Sequence, residues 1–409
     1  MQFPIRRLLL LLLPLIVLVG AGAAVLLAVG TQAPASAATT TSTTVTNAPT
    51  PTTGPVPTSC SGPTVNSDGT VTFCLTAPQA TNVELNLQND VGPSPAANAY
   101  PMTKSTGGIW YVTLGPLDPN WYGYGFILDG VNIADPANRS IWSGATSAWS
   151  FVFVPGPAAD YMADNESVAH GAWATVRYYS KLTHTERQMQ VYTPPGYNHN
   201  RRGYPVLYLM HGGGGNDTDW TVNMRANYIM DNLIAEHEAR PMIIVMPDGN
   251  VQPSLSFMTY SVPQDIFPQE LLGSIIPFID ANYRTLPGAR NRAMAGLSLG
   301  GLWTLDTLLQ DPGTFAYMGV FSSGWFQGTR DDLVQNHSGL LADPAIDRRT
   351  KLLWISVGGP QDIAYDNNFA TLALFNQYHI KYTFVQGSGG HVWNTWRHDL
   401  LEFAPLLFR

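Results

Sequence analysis

The sequence predicts an α/β protein, a mostly parallel sheet with helices on both faces, preceded by a small immunoglobulin-like β-sandwich. Three observations predict it. After about residue 160, short, almost wholly apolar runs (206–210, 242–246, 317–321 and 352–357) alternate with amphipathic stretches such as 226–238 and 269–283. Strands that are apolar on both faces belong to a parallel sheet covered by helices. Before that point the runs are short and alternating, and Asp-Gly pairs and prolines separate them, as in an antiparallel sandwich. The two textures meet at a Pro/Gly/Ala seam, 155–159.

In chain order, residues 1–37 read as a signal peptide or signal anchor. Arg6 and Arg7 precede an apolar run from Leu8 to Val29, and Ala35-Ser36-Ala37 offers an A-x-A cleavage site. The run is long enough to span a bilayer, so an uncleaved anchor is the alternative and the only membrane attachment expected. Either way the body of the chain is expected to be extracellular, free or held at the cell surface. Residues 38–58 are largely Thr, Ser, Pro, Ala and Val. Such a stretch has too little apolar surface to offset its chain entropy and is expected to be an extended linker.

Residues 59–156 carry the sandwich, with strands expected at 71–75, 82–87, 109–114, 124–128 and 149–154. Cys60 and Cys74 are the two cysteines of the chain, and export favours a disulfide between them over two buried thiols. Closing a loop of that size adds about 3 kcal/mol in the chain-entropy model. Trp110, Trp121, Tyr122 and Trp142 suit either a sugar-binding surface or packing, in the sandwich core or between domains. Packing is the favoured reading.

Residues 157–409 carry the candidate chemistry. Gly296-Leu297-Ser298-Leu299-Gly300 follows a strand-like stretch, 292–296, and opens a helix-like one, 301–309. A nucleophile elbow needs that context: a strand that stops, a strained turn holding the hydroxyl, and a helix whose first N–H groups face the reacting carbonyl. A serine hydroxyl is a weak nucleophile until a base takes its proton and a third group holds the base. Asp362 follows the strand 352–357 and a Gly-Gly-Pro-Gln turn, the place of an acid at a late strand's end; Asp366, as acid or as helix cap, is its rival. His391 comes last, after the strand 382–385 and a glycine-rich loop.

An oxyanion needs two N–H donors. The backbone of Leu299 is expected to give one. Gly213, with Gly212 next, is expected to give the other from the run His211-Gly212-Gly213-Gly214-Gly215. No Gly-Lys-Ser/Thr follows, so phosphate binding is excluded. Trp220, Trp325 and Trp393, with Trp396, lie near the expected sheet edge and suit either stacking on an aromatic acyl group or core packing. A net charge of −8 with no basic stripe argues against nucleic acid, and no Cys/His spacing suits a metal, so no metal or cofactor is expected.

Further motifs carry a family resemblance. His170-Gly171, Tyr192-Thr193-Pro194-Pro195-Gly196-Tyr197, Tyr204 to Gly214, Asp231 to Glu236, Met246-Pro247-Asp248-Gly249-Asn250, Ala295 to Gly301 and Gly389-Gly390-His391 resemble the esterase D-like family of α/β-hydrolases. The likeness is nearest to its feruloyl and acetyl-xylan esterases, and the stretch 108–136 resembles the E-set domain that often precedes them. The resemblance implies Ser298, Asp362 and His391 as a catalytic triad. Family members often have Met after the serine, where this chain has Leu299, but only that residue's backbone N–H is needed.

The resemblance implies a secreted serine carboxylesterase that removes feruloyl or acetyl groups from plant cell-wall polysaccharide, with an ester-substituted polysaccharide or a small ester as its partner. An enterochelin-type siderophore esterase and a mycolyl-type acyltransferase are the alternatives within the fold. A non-catalytic glycan-binding protein fits least, because the Ser, Asp and His set comes with an oxyanion loop.

Overall fold

The computed structural model describes residues 49–52, 54–88, 97–144, 148–251, 256 and 258–409. The leader expected at 1–37 and the first part of the linker expected at 38–58 lie outside the described residues. Among the described residues no helix is long and apolar enough to cross a membrane.

Two antiparallel sheets form the amino-terminal part of the described chain. One runs Pro51–Thr52, Ile109–Leu114, Val71–Thr76, Thr64–Val65; the other runs Ile141–Ser143, Ala148–Val154, Asn120–Leu128, Val83–Gln88, Ala97–Pro101. Alternation makes the sandwich: Val83, Leu85 and Leu87 turn inward from one sheet and meet Val71, Phe73 and Leu75 of the other in one apolar cluster. Pro51 and Thr52, from the stretch expected as linker, pair with Leu114 and Thr113. Cys60 and Cys74 are joined in a disulfide with Cα atoms 5.7 Å apart.

The second part is a single sheet of eight strands among the described residues. In chain order these are β1 (Ala172–Ser180), β2 (Thr185–Thr193), β3 (Val206–Met210), β4 (Ile243–Pro247), β5 (Arg292–Leu297), β6 (Tyr317–Phe321), β7 (Leu352–Val357) and β8 (Thr383–Gln386). Their order in space is β1-β2-β4-β3-β5-β6-β7-β8, antiparallel from β1 to β4 and parallel beyond. Every residue of β3, β4 and β6 is buried, which is why these strands read as unbroken apolar runs. This is the α/β fold expected, with the β-sandwich in front of it.

Two features depart from the sequence reading. The β1–β2 hairpin was not anticipated, because β1 is an edge strand whose first four residues are all exposed and whose alternation is confined to its second half. It is anchored by buried Glu270, which accepts hydrogen bonds from Tyr178 Oη (2.9 Å) and Ser180 Oγ (2.7 Å). The helix expected over 269–283 is interrupted: Phe267–Glu270, then a wider π-type turn Leu271–Ile275, then Ile276–Asn282. Pro277 has no N–H to return to the preceding turn, so the ladder shifts register there.

A cluster shared by both parts crosses the seam at 155–159. Trp121, Trp142 and Phe151 of the sandwich share one cluster with Met162, Trp220, Trp393, Trp396 and Leu400 of the second part.

Candidate active site

The site lies beyond the carboxyl ends of β5, β7 and β8. At the end of β5 the chain turns sharply at Ser298, whose φ of 51° and ψ of −116° put a non-glycine residue in a strained conformation. The turn is held on both sides: Ser298 N–H donates to the Phe321 carbonyl (2.9 Å), and Ser323 Oγ donates to the Ser298 carbonyl (2.7 Å). The helix Leu299–Gln310 starts at once. Close approach explains the two motif glycines. A Cβ on Gly296 would lie 2.4 Å from the Gly300 carbonyl oxygen, and one on Gly300 would lie 2.5 Å from the His211 oxygen.

Ser298 Oγ is 2.9 Å from His391 Nε2, and His391 Nδ1 is 2.8 Å from Asp362 Oδ1. With the Nδ1 proton donated to the carboxylate, Nε2 is left to accept the serine proton. Asp362 also accepts from Ala364 N–H (2.8 Å) and Gly358 N–H (3.1 Å). Burial would raise this carboxyl, but the hydrogen bond and charge of His391 outweigh it and hold Asp362 below the usual carboxylate range. The rival Asp366 is exposed in the first turn of the helix Tyr365–Gln377. A second buried carboxyl, Asp399, lies in the helix Trp393–Phe403. Burial and its carboxylate neighbours push it well up, so Asp362 is the charged one of the two.

The glycine loop after β3 runs against the elbow. A Cβ on Gly212 would sit 3.4 Å from Ser298 Cβ, whereas one on Gly213 would meet nothing within 4 Å. Buried His211 clamps this loop: its Nδ1 donates to the Gly212 carbonyl (2.7 Å), and its Nε2 accepts from Gly249 N–H (2.9 Å). Asn250 Nδ2 adds a bond to the Gly215 carbonyl (3.0 Å). Leu299 is the first residue of the helix, so its N–H has no partner within the helix and is free to face a ligand.

The aromatic expectations need correction. Trp220 is fully buried, its indole N–H bonded to the Met210 carbonyl (2.9 Å). Trp325 is fully buried as well, its N–H bonded to Asp306 Oδ1 (2.7 Å). Trp393 is buried between Trp142 and Phe151. With their polar tips satisfied or their faces covered, these rings serve as core and offer a substrate no stacking face. Trp110, Trp121 and Trp142 are buried too, and Tyr122 is half-buried, in line with the favoured packing reading.

Sequence reasoning missed Ser323 and Asp219, and it named Trp396 without its contact to His391. Trp396 sets its edge against the His391 ring. Asp219 is buried behind the glycine loop, with Asn216 N–H donating to its Oδ1 (3.3 Å), and burial pushes its carboxyl up to about 6. No local motif marks any of the three.

Residues 180–407 match the family model described as "Putative esterase". The chain belongs to that esterase family. In front of the esterase region, residues 61–141 match carbohydrate-binding module 48, the isoamylase N-terminal domain. The endo-1,4-beta-xylanase/feruloyl esterase of Xylanibacter ruminicola is 30% identical over 352 residues, which cover 85% of this esterase-family chain and 46% of that relative. The chain thus spans less than half of that relative's length. Among solved structures, the CE1 ferulic acid esterase of the anaerobic fungus Anaeromyces mucronatus superposes with a TM-score of 0.51 at 24% identity, over 61% of this chain and 95% of that one. The enterochelin esterase of Shigella flexneri gives a TM-score of 0.60 at 17% identity, over 83% and 92% of the two chains. At these identities the two structures speak for the fold alone.

Proposed function

We propose that this chain is a secreted serine carboxylesterase that hydrolyses ester substituents, feruloyl or acetyl, of plant cell-wall polysaccharide. The observation that carries the reading is the relay from Ser298 Oγ through His391 to Asp362, 2.9 and 2.8 Å long, on a strained elbow. His391 takes the serine proton as Oγ attacks the ester carbonyl. The N–H groups of Leu299 and Gly213, with Gly212 as the neighbouring choice, hold the oxyanion. His391 then protonates the departing sugar alkoxide, leaving acyl-Ser298, and activates a water that releases the acid. The acyl preference is supported by the feruloyl esterase named in the 30% identical relative. Export is supported by the Arg-led apolar leader and A-x-A site. The proposed domain limits are a leader at 1–37, a linker at 38–58, a sandwich at 59–156 and the hydrolase at 157–409.

Two measurements test the reading. A fluorophosphonate probe should label the wild type and fail on Ser298→Ala; a label that survives this substitution removes Ser298 from the nucleophile role. Incubation with acetylated, feruloylated arabinoxylan should release ferulate or acetate, and Ser298→Ala should abolish the release. A labelled protein that frees neither acid points to the siderophore-lactone or acyl-transfer chemistry instead.

A further inference from the structure

The strand Ile141–Ser143 belongs to the sandwich, yet it touches both halves of the proposed machinery. On one side, Asn216, the residue after the glycine loop, donates its Nδ2 to the Ser143 carbonyl (2.8 Å). On the other, the Trp142 ring meets the Trp393 ring, centroids 6.1 Å apart and planes at 71°, two residues beyond His391. Trp393 is covered from a second strand by Phe151, at 5.5 Å.

The helix Trp393–Phe403 is fixed again one turn on. Arg397 has no exposed surface, and its guanidinium donates to Asn120 Oδ1 and to the Trp121 carbonyl (3.0 Å), both in the sandwich strand Asn120–Leu128. Trp121 in turn donates its indole N–H to the Val222 carbonyl (3.0 Å), in the turn that follows the glycine loop. Between the two anchors, Trp396 sets its edge against the His391 ring, 4.9 Å between centroids. Residues at i, i+3 and i+4 share a helix face, so Trp393, Trp396 and Arg397 join sandwich and imidazole along one stripe.

We propose that the sandwich is a positioning element of the catalytic site: Asn120, Trp142 and Phe151 fix the helix that follows His391, and Ser143 fixes the oxyanion loop. The inference rests on the reading of Ser298 and His391 as catalytic. Its rival is an independent sugar-binding module. A tethered module of that kind would not supply hydrogen-bond acceptors to a buried guanidinium, and its tryptophans would face outward.

The test uses the full chain with Asn120→Ala, Trp142→Ala, Arg397→Lys and Arg397→Met, and p-nitrophenyl acetate, an ester with no sugar. The expected result is a kcat about tenfold lower for Asn120→Ala and Trp142→Ala with KM within about twofold, because a misplaced base slows chemistry and leaves binding intact. Arg397→Lys should keep more activity than Arg397→Met. Unchanged kcat in folded variants, with or without weaker retention on arabinoxylan, overturns the inference. Hydrogen exchange over 389–403 and 211–218 gives a readout independent of turnover. Exchange there should rise in Asn120→Ala while β3 and β5 stay protected; unchanged protection sinks the positioning role even if the wild type hydrolyses no ester. Failure of the catalytic reading would show itself separately, as a wild type that fluorophosphonate does not label.

Discussion

The indole of Trp396 stands edge-on to the imidazole of His391, ring centroids 4.9 Å apart and planes at 89°. The imidazole thus packs against Trp396 and is hydrogen-bonded to Asp362 (2.8 Å), and it is the proposed base. A catalytic group loses most of its advantage when it shifts by about 1 Å. Trp396→Leu keeps an apolar side chain but removes the ring and leaves a cavity in the core, so its melting temperature should fall. In the folded variant kcat on p-nitrophenyl acetate should fall about tenfold, with KM close to wild type. A wild-type kcat in a folded variant would show that the ring contact is dispensable.

Asp362, Asp366 and Asp399 differ in their surroundings, and substitution separates them. Asp362→Asn leaves the shape intact but cannot hold the Nδ1 proton donor, and kcat should drop on the order of 10⁴-fold, as in other triads. Asp366→Asn should stay within about threefold, because that residue is exposed at a helix start. Asp399→Asn should also stay within about threefold, because burial pushes the carboxyl it replaces well up, toward the neutral form that an amide resembles. Steady-state kinetics of the three variants decide the assignment, and a large loss in Asp366→Asn reverses it.

Neighbouring glycines of the oxyanion loop should respond in opposite ways. A Cβ at 212 would come within 2.5 Å of Leu297 Cδ1, so Gly212→Ala must displace either the loop or the elbow. Its kcat should fall by roughly 10²-fold, the scale of losing one oxyanion donor. At 213 the added methyl meets no atom within 4 Å, so Gly213→Ala keeps its backbone N–H in place and should retain activity within about threefold.

Burial pushes Asp219 from 3.8 up to about 6, and this carries a pH signature. The folded state holds the proton that the unfolded chain has already lost, so stability falls as pH rises from about 4 to about 6 and then levels off. The shift corresponds to a loss on the order of 3 kcal/mol at neutral pH. Asp219→Asn removes the titration. In urea unfolding at pH 4 and pH 7 its stability relative to wild type should be clearly higher at pH 7, with little gain at pH 4. An equal difference at both pH values would rule out a buried, titrating carboxyl.

Much of the hydrolase sheet was legible because burial on both faces leaves a mark in the sequence. Val206–Met210, Tyr317–Phe321 and Leu352–Val357 stand where their apolar runs ended. The positions of Ser298, Asp362 and His391 were legible because each follows a strand end with glycines beside it. Illegible were features that exist only through long-range contact. Nothing local tells that Trp220 and Trp325 spend their N–H groups on Met210 and Asp306 inside the core. Nothing local tells that Arg397 finds its acceptors 276 and 277 positions earlier in the chain. Edge strand β1 was missed for the opposite reason: one face is exposed throughout and the other is buried only at Tyr178 and Ser180, too short a stretch to show a hydrophobic period.

The left-handed serine at the elbow sets activity against durability. A residue with a side chain held at φ 51° costs the fold on the order of 1–3 kcal/mol, and glycine there would relieve it. Ser298→Gly should therefore melt above wild type while hydrolysing nothing. On the proposed reading, the need for the hydroxyl keeps the costlier residue in place. In a lineage that no longer needs the chemistry, drift toward stability would erase the nucleophile first and leave the rest of the fold unchanged.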